Sequence, residues 1–167
     1  MKDVNEIRRT VIACCCIAMI VLCINTFFVK PIVVSGSSME NNYMNGEYLW
    51  VNRIVYRFDP PQRGDVVVCR SDGHLIIKRI IAIGGDEIEI KNGKTFLNGK
   101  PLDEFYIKEE MIGDFPIETI PEDMVFVMGD NRNASMDSRD IGAIDVKNIV
   151  GRITTLQEEF GDKNSEK

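Results

Sequence analysis

Residues 75–83 read Leu-Ile-Ile-Lys-Arg-Ile-Ile-Ala-Ile and run through Gly84-Gly85-Asp86 into the alternating Glu87-Ile88-Glu89-Ile90. β-Branched side chains suit a pleated surface and paired glycines break helices, so this stretch predicts two strands joined by a turn. The same texture recurs on both sides. Downstream, Asn92-Gly93 and Asn98-Gly99 are hairpin signals flanking 95–97, and apolar runs return at 124–128 and 149–155. Upstream, strands are predicted at 65–69, 48–55 and 32–34. Short strands with little helical periodicity predict a mainly β fold, an antiparallel sandwich or barrel-like domain. The acidic segment 100–123, interrupted by Pro101, Pro116 and Pro121, is expected to be a loop-rich insertion, and 157–167 a polar tail.

The chain of 167 residues is 44 % hydrophobic and 28 % charged, which fits one folded domain and excludes a multidomain array or a wholly disordered protein. A net charge of −6 without a basic stripe argues against nucleic-acid binding. The charges avoid one region. Residues 11–29, VIACCCIAMIVLCINTFFV, carry none, and 19 residues of helix cover close to the ~30 Å of a bilayer core. This run is longer than a signal-peptide core of ~7–15 residues and no small-x-small site follows it directly, so a retained transmembrane helix is expected. Lys2, Arg8 and Arg9 precede it and only Lys30 follows closely, which places 1–10 in the cytoplasm and the domain 30–156 outside the cell membrane. Cys14, Cys15, Cys16 and Cys23 fall in the apolar run and Cys69 stands alone in the domain, so no internal disulfide is available there. No Cys/His spacing suggests a zinc site, and neither metal nor cofactor is expected.

Three strings carry chemistry. Ser35-Gly36-Ser37-Ser38-Met39 is a small-residue turn that can expose a hydroxyl, although such strings are commonly just turns. Strand alternation puts Lys78 on one face with Ile76, Ile80 and Ala82. A lysine there either reaches solvent at a strand edge or is desolvated, and desolvation can lower its pKa enough to make it a general base. The third string, Met128-Gly129-Asp130-Asn131-Arg132-Asn133-Ala134-Ser135-Met136-Asp137-Ser138-Arg139, follows an apolar strand. It reads either as a capped surface turn with a weak Asp137/Arg139 pair or as a functional loop. It is no calcium loop, because Arg132 occupies a ligand position and the required glycine is missing. Asn133-Ala134-Ser135 is treated as a chance glycosylation sequon.

Together these strings resemble the bacterial type I signal peptidases, membrane-anchored Ser/Lys endopeptidases, over essentially the whole chain to Gly151-Arg152. Ser38-Met39 matches the family's nucleophile motif and Lys78-Arg79 its base motif, at the spacing of the compact Gram-positive forms. Arg63-Gly64-Asp65-Val66-Val67, Gly85-Asp86 and the loop from Gly129 to Arg139 match further family motifs. The resemblance implies that Ser38 is the nucleophile, Lys78 the general base, and the Ser38 backbone N–H one oxyanion donor. It implies that Ser135 hydrogen-bonds and orients the lysine amine, with Asp137 and Arg139 paired to stiffen a loop that Gly129, Asp130, Asn131 and Arg132 support. Ile32, Val33, Val34, Met39, Ile76 and Ile77 are expected to receive an extended substrate with small residues at −1 and −3. The implied partners are preproteins carrying signal peptides, the lipid bilayer through one helix, and a nearby secretion translocon. The insertion 100–123 is expected to shape substrate choice.

Two positions depart from the family. Asn41 stands where members carry a proline after the nucleophile, and Gly36 where some carry an oxyanion-donating serine, leaving the second donor unassigned. Rival readings are a Ser-His-Asp triad using His74, the only histidine, placed in the turn Asp72-Gly73-His74, and a non-catalytic membrane-anchored paralogue that binds surface-protein precursors or assists their assembly. A self-cleaving repressor-type protease would carry a DNA-binding domain where this chain has its apolar segment.

Overall fold

The computed structural model describes residues 2–154, with side chains described from Val4 onward except at 23–27. The polar tail 157–167, and the ends of the expected strand 149–155 and domain 30–156, lie outside the described residues. Helix α1 (Lys2–Phe28) takes in both the expected cytoplasmic segment and most of the apolar run, then passes directly into β1 (Val29–Val33). Its side chains from Val4 to Leu22 are exposed all round. Among the described residues no helix is long and apolar enough to cross a membrane, the described side chains of α1 stopping at Leu22 and resuming at Phe28.

The remainder is antiparallel β structure in two sheets. After β1 come β2 (Tyr48–Asn52), β3 (Val66–Ser71), β4 (His74–Ile83), β5 (Glu87–Lys91), β6 (Lys94–Leu97), β7 (Lys100–Pro101), β8 (Phe115–Thr119), β9 (Met124–Met128), β10 (Ile144–Asp145) and β11 (Ile149–Thr154). The larger sheet runs β1-β2-β11-β3-β4-β9-β10 and the smaller β7-β6-β5-β8. The turn expected at Asp72-Gly73-His74 is tighter than that: Asp72 and Gly73 alone, at φ 48° and 79°, join β3 to β4, and His74 pairs with Ser71 as the first strand residue. Strand β8 lies inside the segment expected to be loop. Its Phe-Pro-Ile-Glu-Thr sequence forms the outer strand of the small sheet, a position where Pro116 costs no ladder bond.

Three apolar clusters hold the sheets. Ile81, Ala82, Phe126 and Met128 of the larger sheet pack on Ile88, Ile90 and Leu97 of the smaller, and this layer is the core between them. Val34, Met39, Leu49, Val51, Val66, Val68 and Ile153 fill a second cluster, and Val67, Cys69, Ile80, Val125, Val127 and Ile144 a third. Strand β4 reaches all three, with Ile77 packing on the second, and its register to β9 shifts between Ile80 and Ala82. Ile80 then joins the third cluster, while Ile81 and Ala82 both turn to the first. The simple alternation that put Ala82 on the face of Lys78 is thereby corrected, since one extra residue in a strand flips everything beyond it.

Strand β11 contacts β2 and β3 so closely that a Cβ on Gly151 would lie 2.4 Å from the Asn52 carbonyl oxygen and 2.8 Å from Val51 Cγ1. Gly151→Ala is therefore expected to destabilise the fold by ~1–3 kcal/mol through overpacking, read as a lowered denaturant midpoint with an unchanged slope.

Candidate active site

Strand β4 brings Lys78 to the centre of the domain. Register places Val67 opposite Lys78 and Cys69 opposite Ile76, so the lysine stem shares its face with apolar neighbours, and the residue is only 4 % exposed. Ser38 approaches from the turn after β1. That turn is tied to the fold by the next residue, Met39, whose side chain is buried in the second apolar cluster. Glu40 N–H donates to the Ser37 carbonyl and Tyr43 N–H to that of Met39, closing the turn locally. The Lys78 amine and the Ser38 hydroxyl meet at Nζ···Oγ 2.7 Å, across 40 residues of sequence.

The loop after β9 closes over this pair. Asn131 N–H donates to the Ser38 carbonyl (3.0 Å) and its side-chain Nδ2 to that of Ser37 (3.0 Å), which clamps the serine turn from the far side. Gly129 lies wedged between the two serines: a Cβ there would stand 2.3 Å from Ser135 Oγ and 2.5 Å from the Ser38 carbonyl oxygen. Asp137, fully buried, caps the short helix α2 (Ser138–Ile141) and accepts from Gly129 N–H (2.9 Å), Ser135 Oγ (2.7 Å) and the forked Arg139 guanidinium (both contacts 2.8 Å). The pair is thus no exposed surface bridge. Arg132, also buried, donates to the Gly129 carbonyl and to Glu104, joining the loop to the segment before β8. The resemblance implied that Ser135 hydrogen-bonds the lysine amine; its hydroxyl instead donates to Asp137, and among the described residues the only hydrogen bond of the amine is to Ser38.

Charge around the amine is arranged to leave it unpaired with acid. Burial lowers the Lys78 pKa below the ordinary lysine range; Asp137 and Asp130 oppose this and Arg139 adds to it. Each of those carboxylates has its own arginine: Asp137 holds Arg139, and Asp130 accepts from Arg79 Nε (2.8 Å) and Nη2 (2.7 Å). Burial by itself would raise the Asp137 pKa, but the bonds from Arg139, Gly129 and Ser135 outweigh it and hold the carboxyl below its usual range. Cys69 is pushed up to about 12 by burial, which leaves its thiol neutral and inert. His74 is exposed at the start of β4 and, among the described residues, hydrogen-bonds to neither Ser38 nor a carboxylate. No group of three or more potential metal ligands occurs among the described residues.

A cleft of about 400 Å³ opens on Ser38 and Lys78. Ile32, Val33, Val34 and Met39 line one side and Ile76 and Ile77 the other, with Ala134 and Met136 from the loop. All six residues expected to receive substrate thus meet here. Leu75 and Val68, which sequence reading did not select, line it as well. Arg79, Tyr106 and Asn42 were also missed. The Lys-Arg pair offered a signal for Arg79, but only the folded chain brings it to Asp130, with its guanidinium 4.2 Å from the Tyr106 ring.

Residues 7–156 match the family described as signal peptidase, peptidase S26. Among related proteins, signal peptidase I P of Bacillus subtilis subsp. natto is 40% identical, with 80% of this chain and 79% of that protein covered. Signal peptidase I S of Bacillus subtilis (strain 168) is 35% identical, with coverage of 90% and 86%. The crystal structure of a signal peptidase I from Enterococcus faecalis V583 superimposes with a TM-score of 0.53 at 31% identity, covering 57% of this chain and 98% of that one. These relatives are peptidases by name, which leaves the non-catalytic reading without support. With the match running almost from end to end, the chain belongs to the signal peptidase family, peptidase S26, and is a serine endopeptidase of the signal peptidase kind.

Proposed function

We propose that the chain removes amino-terminal signal peptides from exported preproteins with Ser38 as nucleophile and Lys78 as general base. The observation that carries this reading is the 2.7 Å approach of a buried lysine amine to a serine hydroxyl. A neutral amine keeps a lone pair that accepts the Ser38 proton as Oγ attacks the carbonyl carbon of the cleavage-site residue. Collapse of the tetrahedral intermediate breaks the C–N bond, and the Lys78 ammonium returns its proton to the departing amine. The acyl-enzyme is then hydrolysed by a water that Lys78 deprotonates. The Ser38 N–H, which has no acceptor among the described residues, is available to the developing oxyanion. Ser135 acts on the base indirectly in this scheme, through the Asp137 carboxylate that it and Arg139 hold in place.

Substrate enters as an extended strand. Among the described residues, strand β1 pairs only with β2 and β4 pairs with β9 only from Arg79 onward, which leaves one edge of each unpaired there where the cleft runs between 32–38 and 75–78. A peptide there can hydrogen-bond main chain to main chain. The apolar walls favour small side chains at −1 and −3. The reading includes an anchor at 11–29, supported by the uncharged sequence and by the apolar side chains from Val11 to Val21, which are exposed among the described residues. The positive residues before it support a cytoplasmic amino terminus and an extracytoplasmic catalytic domain.

Cleavage of a preprotein with an Ala-x-Ala site by the detergent-solubilised chain, with sequencing of the new amino terminus, tests the reading. Wild type is expected to cut after the second Ala, and Ser38→Ala and Lys78→Ala each to lose at least ~10³-fold in kcat/KM; a variant that retains wild-type rate overturns the dyad. Because the base must be neutral, kcat/KM is expected to rise with pH along an acid limb whose midpoint lies below the ordinary lysine range. The same depression has a stability consequence. Between the folded and the unfolded lysine pKa the unfolded chain binds more protons, so wild-type stability falls as pH is lowered through that window. Lys78→Met is expected to be inactive and to gain stability relative to wild type over the same interval, read from denaturant midpoints across a pH series.

A further inference from the structure

Behind the dyad, residues 104–108 touch each part of the site. Tyr106 stacks its ring on Arg79, the neighbour of the base. Lys108 N–H donates to the Asp130 carbonyl (3.2 Å), and Glu104 receives Arg132 from the loop. The link to the nucleophile turn is made by two carboxamides. Asn42 Nδ2 donates to the Tyr106 carbonyl (2.7 Å) and to Asp130 Oδ2 (2.8 Å), and Asn41 Nδ2 donates more weakly to the same carbonyl (3.3 Å). The turn they hold is not a relaxed one, since Asn41 has φ +101°, where residues other than glycine are rare.

We propose that Asn42 is a positioning residue for the Ser38 and Lys78 pair, holding the nucleophile turn against the main chain of 104–108 and against Asp130; this rests on the function proposed above. Asn42 is one side chain bonded at once to the acceptor on the insertion and to the carboxylate that grips Arg79. Both of its amide hydrogens are used, so the turn carrying Ser38 cannot shift relative to β4 without breaking a bond at Tyr106 or at Asp130. A displacement of ~1 Å at a reacting atom can cost about 10²-fold in rate, and the serine turn at Asn41 is strained enough to need an external hold. A proline at 41 would require φ near −65°, so this chain replaces rigidity within the turn by a tether to the insertion. The segment expected to shape substrate choice thereby acts on the nucleophile.

The test compares wild type, Asn42→Ala and the isosteric Asn42→Asp as full chains in detergent. Three quantities are measured: kcat and KM on an Ala-x-Ala peptide, the rate of Ser38 acylation by a penem, and the fraction of serines that the penem titrates. Both variants are expected to lose roughly 10- to 100-fold in kcat and the same factor in acylation rate, with KM within about twofold and an unchanged titratable fraction. Wild-type kcat in Asn42→Ala overturns the proposal. So does a loss that comes from fewer titratable serines at an unchanged rate per serine, which is the signature of a purely structural role. If wild type reacts with the penem but does not cut the peptide, the signal-peptide reading fails and the acylation rates alone decide the positioning role. Wild type inert to both overturns the two together.

Discussion

The site depends on keeping an amine dry and without a carboxylate partner. Lys78 is buried, and two carboxylates lie near enough to alter its titration. A direct ion pair with either would fix the proton on the lysine and remove the neutral amine that the proposed mechanism needs. Each carboxylate is instead committed to an arginine, Asp137 to Arg139 and Asp130 to Arg79, and both pairs are bidentate. The lysine is left with the Ser38 hydroxyl. Much of the surrounding polar structure follows from that arrangement, including the burial of charged groups in a loop that would otherwise be solvated.

The two sheets divide the work. The larger supplies Lys78 from β4, carries β1 as its outer strand among the described residues, and delivers the loop from the end of β9. The smaller sheet packs on the same core layer and supplies Thr95, which accepts weakly from Arg132, while the segment between β7 and β8 supplies Glu104 and Tyr106. The loop after β9 is therefore gripped from both sides, and its buried Arg132 joins it to Thr95 and Glu104 rather than serving as a surface charge. A buried guanidinium with its hydrogen bonds satisfied resists displacement, because removing either partner strands a charge in a poorly solvating interior.

Much of the fold was legible in local sequence. Residues 75–83 declared a strand by their β-branched content, and the Asn-Gly pairs declared hairpins by their tolerance of positive φ. Strand β8 was illegible because Pro116 signals interruption, and only its place at the edge of the small sheet makes the proline harmless. The register shift at Ile81 was equally hidden, since an extra residue in a strand is defined by its partner strand and β9 lies some forty residues away. At the site, Ser38, Lys78 and the loop to Arg139 stood out as short strings with chemistry. Asn42 and Tyr106 did not, because a carboxamide and a main-chain carbonyl carry no local signature of what they bind.

The sequence by itself determined the antiparallel β character, the uncharged segment ahead of it, and the residue types of the strings that carry Ser38 and Lys78, all properties carried by neighbours along the chain. Only the tertiary structure decided that Lys78 is buried, that its amine reaches a serine forty residues away, that Ser135 turns to Asp137, and that the insertion bonds to the turn carrying Ser38. The physical reason is that desolvation and hydrogen-bond partnership are set by what other segments place nearby, and no stretch of sequence specifies its own surroundings.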